Sequence, residues 1–600
     1  MTDLRYPWAT LLLWIASSIA GPQASAQESK QEFRKLKPPP GISPELRISV
    51  DPSRSSATVS VITGQELESL GVRFLTDALR VVPGLEVARM SASESGVALR
   101  GYNDDASSTQ GILGLVDGRQ VNHEFFGAVV WETLPVSLQE IDRIEVIRGP
   151  GSFVHGPNAM HGLVNIVTRS PLDYPKEDEV FLSAHAGTYG SNVESFTFVH
   201  REEGAGLKVK AGHDDLSEFT PHRGNAKDKM FAEARLALKL DEKDSNLVDL
   251  SAGGSSQKFT TLIPPFNIVP TAEFAVEADE PFARATVTYE GLRALVSWTR
   301  FDGTAVPDQV FAGFDILLDT ADVDLQYTMK VLDQEVTAGT GYRRSSFETD
   351  DEDVAGGRHS TGLDWFFIQG RLTFLDPVEI TGGVRVDDHS VVGTHVSPRL
   401  AAVWTLDPFD GKEDLTGHSL RATAGYGFRY PSLRELWFDM SVFGLPSAIT
   451  GNEDLHAERL RSFEVGYWGR PLSWLQLETS VYYNRIDGLI HYAPAATGFR
   501  PENGDKEAAY GSESQVDLQV AQDVTTFANY AYEVRFDRET HDRIHAGPLH
   551  KANAGVRVTP KDSGFTGMLW AHYFDDIGTT DASTGASLGT VDGYALSRSL

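Results

Sequence analysis

The chain has 600 residues, and its 84 acidic against 53 basic side chains give a formal net charge of −31. A chain this acidic lacks the basic surface that nucleic acid or anionic lipid requires, and the absence of cysteine excludes disulfides and thiol chemistry. A mean hydropathy of −0.24 excludes a helical membrane protein. The 55 glycines and 10% aromatic residues favour many short strands, in several domains or in one large closed sheet.

The first 26 residues have the pattern of an export signal. Arg5 precedes a mostly apolar stretch over residues 8–20, and Ala24-Ser25-Ala26 supplies an A-x-A cleavage site. A membrane anchor is the less favoured interpretation, because the apolar stretch is shorter than the roughly 20 residues of a spanning helix. We therefore predict a signal peptide over 1–26 and export of the remaining chain.

Residues 27–55 are predicted to form a flexible periplasmic extension, because they are polar and contain the run Pro38-Pro39-Pro40. One short segment within it alternates apolar and polar side chains before the turn at Asp51-Pro52. Its residues are Leu46, Arg47, Ile48, Ser49 and Val50. A free strand of this kind can pair with the sheet edge of another protein.

Residues 56–170 are predicted to fold as a compact α+β domain. A strand over residues 59–62 leads into Thr63-Gly64-Gln65-Glu66, which has the spacing of a helix capping box, and Gly71 suits the end of that helix. A second helix, with apolar side chains at helical spacing over residues 75–82, must stop at Pro83-Gly84.

Residues 171–600 show strands of period two, with alternation at 475–484, 552–559 and 384–387. A bilayer barrel turns its apolar face outward, needs about 10 residues per strand and carries aromatic girdles. The aromatic residues that fit such girdles are Trp404, Trp437, Tyr467, Trp468, Trp474, Tyr483 and Tyr492. At roughly 20 residues per strand and connection, this region holds about 20 strands, which is a barrel wide enough to need a plug.

Specific motifs resemble those of the TonB-dependent receptors of the bacterial outer membrane. In the N-terminal domain they are residues 77–79 (DAL), 82–85 (VPGL), 99–102 (LRGY), 116–119 (VDGR), 141–152 (IDRIEVIRGPGS), 155–159 (HGPNA) and 162–168 (GLVNIVT). In the strand-rich region they are residues 397–400 (SPRL), 426–436 (YGFRYPSLREL) and 451–455 (GNEDL). The resemblance runs from about Ser56 to the last residues.

This resemblance implies a transmembrane antiparallel β-barrel, typically of 22 strands, with the α+β plug inside it. It implies active import of a scarce nutrient, driven through the inner-membrane TonB–ExbB–ExbD complex. The ligand expected is a small molecule, above all a ferric siderophore or another iron chelate, less so cobalamin or an oligosaccharide. The segment around Ile48 stands where the family's coupling segment, the TonB box, belongs, although its sequence matches loosely.

The end of the chain departs from the family pattern, in which the last strand closes on a terminal aromatic residue. Here the final residues are 594–600 (YALSRSL). We therefore expect about two C-terminal strands to be missing, through a fragment, a disrupted gene or unusual barrel closure. An open edge in lipid would leave backbone groups unpaired, at several kcal/mol each.

Two sets of plug residues are singled out as contacts. Charged residues alternate with apolar ones over 142–148, so Arg143, Glu145 and Arg148 are expected to meet charges on the barrel wall. The ligand is expected at outward plug loops, and the candidates are Tyr102, Asn103, Asp104, Asp105, His123, Glu124, Phe125 and Phe126. For each of these residues, packing against the barrel wall or exposure to water is an equally open interpretation.

Enzymatic chemistry has no support in the sequence. Gly149-Pro150-Gly151-Ser152 lacks the ending of a phosphate-binding loop, Gly127 breaks a zinc-protease motif after His123-Glu124, and no G-x-S-x-G elbow occurs. No cofactor or metal site is predicted, and the acidic run 350–353 is expected to be a solvated loop. The alternatives to import are a passive or adhesive plugged barrel and a secreted β-rich enzyme.

Overall fold

A computed structural model describes most of the chain. The described residues are 52–89, 95–102, 110–187, 191–216, 227–242, 245–263, 272–306, 314–349, 357–406, 418–442, 445–495, 498–545, 547–561, 563, 565–580 and 587–599. The predicted export signal and coupling segment, as well as Asn103, Asp104, Asp105 and the acidic run 350–353, lie outside them. Within the described part, no helix has the length and apolarity needed to cross a membrane.

The N-terminal domain mixes short strands and helices. Its strands are β1 (Thr58–Thr63), β2 (Leu85–Arg89), β3 (Ser95–Leu99), β4 (Ile112–Val116), β5 (Arg119–Gln120), β6 (Asn122–His123), β7 (Ala128–Val129), β8 (Ile141–Arg148) and β9 (Gly162–Thr168). Its α-helices are α1 (Gly64–Leu70), α2 (Leu75–Leu79) and α3 (Ser152–His155). Turns of 3-10 helix lie at Pro52–Arg54, Trp131–Thr133, Leu138–Glu140 and Pro171–Asp173.

Local signals in the sequence explain where the first helices begin and end. Thr63 caps α1 in a reciprocal box with Glu66, and Gly71 ends the helix in the left-handed conformation, at φ +60°. Both boundaries confirm the prediction. Helix α2 stops at Leu79, three residues earlier than the predicted Val82, because the chain already turns there, with the Val82 N–H donating to the Leu79 carbonyl at 3.0 Å.

A five-stranded sheet in the order β1-β8-β9-β4-β5 organises this domain. Only the β4–β9 pairing is parallel; the other three ladders are antiparallel. Ile144, Val146, Val164 and Ile166 are fully buried in its core. Since Met568 and Trp570 of the strand-rich region belong to the same apolar cluster, the core of the domain is continuous with the wall around it.

The strand-rich region forms one sheet in which neighbours in sequence pair in order. Its strands are β10 (Asp178–Ala186), β11 (Asn192–Glu202), β12 (Ala205–Leu216), β13 (Lys227–Lys239), β14 (Leu247–Ile263), β15 (Ala272–Tyr289), β16 (Leu292–Val306), β17 (Phe314–Val331), β18 (Gln334–Thr349), β19 (Gly357–Leu375), β20 (Val378–His389), β21 (Gly393–Leu406), β22 (His418–Arg429), β23 (Met440–Val442), β24 (Leu445–Ile449), β25 (Glu458–Leu472), β26 (Leu475–Pro494), β27 (Phe499–Ala521), β28 (Val524–Asp537), β29 (Arg543–Ile544), β30 (His550–Val558), β31 (Gly567–Thr580) and β32 (Ser587–Ser599). Helix α4 (Leu433–Trp437) precedes β23.

Of these 23 strands, β23, β24 and β29 are short pieces of connections, and the other 20 of the described sheet are long wall strands. That number agrees with the strand count predicted from the sequence. No ladder between β10 and β32 occurs among the described residues. The expectation of further C-terminal strands stays a prediction.

The two faces of the wall differ as the alternation predicts. Outward side chains include Val481, Tyr483 and Val556, which are 60%, 45% and 42% exposed, whereas inward side chains such as Lys208 are buried against the N-terminal domain. Trp404 and Trp474 are exposed on the outer face, as expected for girdle residues. Two girdle assignments are wrong. Trp468 is buried, and Trp437 belongs to α4, which a capping box at Ser432 starts outside the wall strands.

The wall has one end with tight turns and one with longer connections. Two-residue turns join β11 to β12, β15 to β16 and β17 to β18 at one end. The connections that carry α4, β23 and β24, or β29, lie at the other. In outer-membrane barrels the tight turns face the periplasm and the longer loops face outward, so we call these the periplasmic and the outer end.

The plug core can be tested by creating a cavity in it. Replacing Ile144, which is fully buried, with alanine should destabilise the domain by about 2–5 kcal/mol. Hydrogen exchange of β8 and β9 in the full-length protein measures this loss. Asp142→Ala, at an exposed position of the same strand, is the matched control. Equal protection in the two variants would contradict the assigned core.

Candidate functional site

The described ligand candidates lie in two places at the outer end of the plug. His123 ends β6, and Glu124, Phe125 and Phe126 follow it in a loop that closes onto β7; we call residues 122–129 the apex hairpin. His123 and Phe125 are buried, while Glu124 and Phe126 are partly exposed. Tyr102 is 4% exposed, stacked on His161 at 4.1 Å. In this conformation Glu124 and Phe126 therefore offer the most surface to a ligand.

Helix α4 lies directly on the apex hairpin. The backbone N–H groups of Leu433 and Arg434 donate to the carbonyls of Glu124 and Phe125 at 3.0 and 3.2 Å. The Phe125 ring contacts the rings of Phe347 and Phe438, with centroids 5.1 and 5.2 Å apart. The outer connection between β22 and β25 thus touches the plug through both backbone and side chains.

A buried ion network holds α4 in place. Arg429, at the end of β22, donates to Glu435 at 2.8 Å and to Glu458 at 2.6 Å. Glu435 also closes the capping box with Ser432. Burial by itself raises the pKa of the Glu435 carboxyl, but the Arg429 guanidinium and the capping hydrogen bonds lower it below its ordinary value. The helix is therefore fixed by a carboxylate that stays ionised.

A second network joins the plug to the middle of the wall. Arg100 donates to Glu464 at 2.6 Å and to Glu513 at 3.2 Å, and Arg148 donates to Glu513 at 2.9 Å. Glu464 also accepts from Thr58 of β1. All five residues are buried. Removing one partner of such a network leaves an unpaired buried charge, which costs about 3–5 kcal/mol.

The three residues predicted to meet charges on the wall differ in their contacts. Arg148 reaches Glu513 of β27. Arg143 and Glu145 pair with each other at 2.8 Å. Asn165 of β9 donates to Glu145 at 2.9 Å, so these hydrogen bonds lie within the plug.

Four buried lysines on β12 and β13 hold the plug segment 132–140. Lys227 and Lys229 donate to backbone carbonyls of Glu132 and Leu134, at 2.5 and 2.9 Å. Lys210 donates to the Pro135 carbonyl at 2.7 Å and pairs with Glu140, to which Lys208 donates at 3.2 Å. Apart from Glu140, the acceptors in the plug segment are main-chain carbonyls, so its sequence carries little sign of the contact.

The turn between β4 and β5 contacts the wall towards the periplasmic end. Asp117 and Gly118 both adopt positive φ, at +50° and +84°, and a Cβ at Gly118 would lie 2.6 Å from an Arg293 nitrogen. Burial raises the pKa of Asp117, but Arg235 and Arg284 outweigh it and lower that pKa to about 2. The motif VDGR therefore shapes a turn that fits between barrel arginines.

Burial keeps the plug histidines neutral. It lowers the pKa of His123 to about 4. Burial, with Arg535, Arg429 and Arg100 nearby, lowers the pKa of His161 to about 3. Among the described residues, no group of three or more His, Asp or Glu side chains could hold a metal ion.

Sequence reasoning did not assign a role to Arg100, Glu464, Glu513 or the four lysines. Arg100 and Glu435 do stand within the motifs LRGY and YPSLREL, but nothing local shows their partners. The signal for such contacts that the sequence did contain was a charged residue at an inward position of an alternating strand, such as Glu464 between Phe463 and Val465.

Two family models match the chain. The TonB-dependent receptor plug domain matches residues 51–163, and the TonB-dependent receptor-like β-barrel matches residues 186–598. Together they cover most of the sequence, and the gap between them, residues 164–185, runs from β9 of the plug into β10 of the wall.

Similar proteins include transporters and receptors of the outer membrane. The chain is 26% identical over 483 residues to the vitamin B12 transporter BtuB of Vibrio vulnificus, covering 75% of this chain and 70% of that one. It is 25% identical over 527 residues to the iron-regulated outer membrane virulence protein of Vibrio cholerae, covering 79% and 75%. The crystal structure of the siderophore receptor PirA from Acinetobacter baumannii superposes with a TM-score of 0.70 at 17% identity, covering 91% of this chain and 92% of that one. This likeness concerns the fold.

The neutral state of His161 predicts a pH dependence. Its folded pKa of about 3 lies below the unfolded value of about 6.5, so the unfolded chain binds the proton more readily. Stability is complete above about pH 6.5 and falls as the pH drops towards 3, by about 2 kcal/mol at pH 5.

Hydrogen exchange of the plug strands at about pH 7.5 and pH 5, corrected for intrinsic rates, tests this. His161→Gln should reduce the loss of protection at low pH, whereas His185→Gln, at an exposed position of β10, should not. An unchanged pH dependence in His161→Gln would refute the assignment.

Proposed function

Because the chain belongs to the TonB-dependent receptor family, we propose that it imports a ferric siderophore across the outer membrane, with energy supplied through TonB. The family consists of outer-membrane receptors that take up nutrients and interact with TonB; its members are not enzymes. The predicted location, family and class of activity are thereby confirmed. The substrate, the ExbB–ExbD partners, contact with outer-membrane lipid and the coupling segment belong to the proposal.

The observation that carries the proposal is that the plug blocks the interior of the barrel. Arg100, Arg148, Lys208 and Lys210 pair with carboxylates across the interface, and Lys227 and Lys229 donate to plug carbonyls, so buried charged groups hold the plug at several points. Each such contact costs several kcal/mol to break in one step. A solute cannot pass by thermal opening of all of them together, and this favours energised import over a passive plugged pore.

The energy for import must come from outside the outer membrane. A membrane potential supplies roughly 2.3 kcal/mol per charge per 100 mV, and a TonB–ExbB–ExbD complex would deliver this energy mechanically. Leu46, Arg47, Ile48, Ser49 and Val50 precede the plug directly, so a partner strand paired with them would pull on the chain that enters β1.

A ferric chelate agrees with the outer surface of the plug. The apex hairpin combines aromatic rings, at Phe125 and Phe126, with the Glu124–Arg343 ion pair at 3.2 Å. Siderophore receptors and an iron-regulated protein are among the similar proteins. Cobalamin is the second candidate, because the relative at 26% identity is a vitamin B12 transporter.

Energy coupling is tested by uptake of iron-55 ferric enterobactin, iron-55 ferrichrome and cobalt-57 cobalamin. We expect accumulation of an iron chelate that a protonophore abolishes. Ile48→Pro should also abolish it, because proline removes a backbone donor from the coupling strand. Gly41→Pro, in the same extension but outside that strand, is the control. Equal uptake in all cells would indicate a passive pore, and accumulation of cobalamin alone would select the second candidate.

The apex hairpin is tested by binding to whole cells. Phe126→Ala removes a partly exposed ring and should weaken binding of the accumulated chelate by about ten-fold, or 1.4 kcal/mol. Phe126→Leu, which keeps most of the apolar volume, should weaken it less. Unchanged binding in Phe126→Ala and in Glu124→Gln would place the ligand elsewhere.

A further inference from the structure

A cavity of about 290 Å³ lies between the plug and strands β13 to β20. Its lining is polar on both sides. The charged residues that line it are Arg143 and Asp117 of the plug and Arg235, Arg284, Arg293, Arg343, Arg385, Asp322 and Asp324 of the wall. A space of this size and polarity holds several water molecules.

The charges around the cavity are paired, but its hydrogen bonds are incomplete. Arg343 donates to Asp322 at 2.5 Å, and Arg385 donates to Asp387 at 2.7 Å. The second carboxylate oxygen of Asp322 and the amide oxygen of Asn165 are buried without a hydrogen-bond partner in the described part of the chain. Asp322 is 8% exposed. A hydrated solute or water in the cavity would supply these missing donors.

Elsewhere the plug touches the wall directly. The lysines of β12 and β13 hold residues 132–140, and the Arg100–Glu464–Glu513–Arg148 network holds the plug against β25 and β27. Between them, Arg399 and Thr423 donate to the Ser56 carbonyl at 2.9 and 2.8 Å. Around the cavity, by contrast, a space of about 290 Å³ separates part of the plug from the wall.

Contacts close the cavity at both ends. At the outer end, Arg343 pairs with Glu124 at 3.2 Å and Arg385 donates to the Val154 carbonyl at 2.9 Å. At the periplasmic end, Arg235 pairs with Asp117 at 3.2 Å and Arg284 donates to the Asp117 carbonyl at 2.9 Å. Each end is held by two arginines, which can exchange a protein oxygen for an oxygen of a passing anion.

We propose that the imported solute passes the plug along this cavity, beside β15 to β20, while the plug stays attached to the lysines of β12 and β13 and to β22, β25 and β27. The solute class is a molecule with anionic oxygen atoms, which the arginines receive in succession. The Glu124 contact opens first and the Asp117 contact last. The inference rests on the proposed import function.

Cross-linking tests the route, because the chain has no cysteine. Asn165→Cys with Leu295→Cys places one thiol on each side of the cavity. Ser56→Cys with Thr423→Cys places a pair at an attached position. A short bis-maleimide joins the pair across the cavity in cells, and oxidation joins the adjacent pair at Ser56 and Thr423 as a disulfide. Uptake of ferric enterobactin, ferrichrome and cobalamin is then measured together with their surface binding. The link across the cavity should abolish uptake but not binding, and the link at Ser56 should leave both unchanged.

Reactivity of single thiols provides a second measurement. In isolated outer membranes, Leu295→Cys, which is only 4% exposed but lines the cavity, should react with a water-soluble maleimide. Leu460→Cys, which is fully buried at the attached side, should not. Equal reactivity of the two thiols would overturn the route. So would full uptake with the cavity pair linked, or loss of uptake when only the Ser56 pair is linked. If neither the unlinked variants nor the parent cells accumulate any of the three probes, the import function itself is overturned.

Discussion

Pairing of charges between the plug and the wall is the interaction on which the rest of the structure depends. A barrel of about 20 strands encloses more space than its own inward side chains fill, and the enclosed domain must satisfy every charge it covers. Arg100 illustrates the constraint, because its guanidinium is 1% exposed and lies between two wall carboxylates. Its partners place the plug in one orientation, which an apolar interface would specify less sharply.

This pairing also explains how a closed plug can be moved at all. Charged groups that leave one partner can be met by water, whereas apolar surface exposed in the same movement gains no such compensation. Lys210, Lys227 and Lys229 donate to main-chain carbonyls, so a small displacement of residues 132–140 offers these three lysines neighbouring acceptors. The interface therefore holds the plug firmly, yet breaking its contacts one at a time costs less free energy at each step than breaking them all together.

Much of the fold was predictable because its signals are local. The capping box at Thr63, the end of α1 at Gly71 and the alternation in β26 each depend on residues a few positions apart. The site was predictable only in part. Arg100 and Glu464 are 364 positions apart, and their pairing depends on which wall strand faces which plug loop. Trp468 was misplaced for a different reason, because it was assigned by its aromatic ring, whereas the alternation of its strand puts it on the inward face with Glu464.

The outer connection that follows β22 links the proposed ligand surface to the contact that closes the outer end of the cavity. Helix α4 donates backbone hydrogen bonds to Glu124 and Phe125, while Glu124 itself pairs with Arg343 at the outer end of the cavity. A ligand that displaces α4 therefore removes support from the same residue that holds the cavity shut. The buried Arg429–Glu435–Glu458 network anchors α4 to β22 and β25, so a ligand must act on the helix against that network. Under the proposed import function, a ligand that displaced α4 would weaken one plug contact before any pull from the periplasm acted on the others.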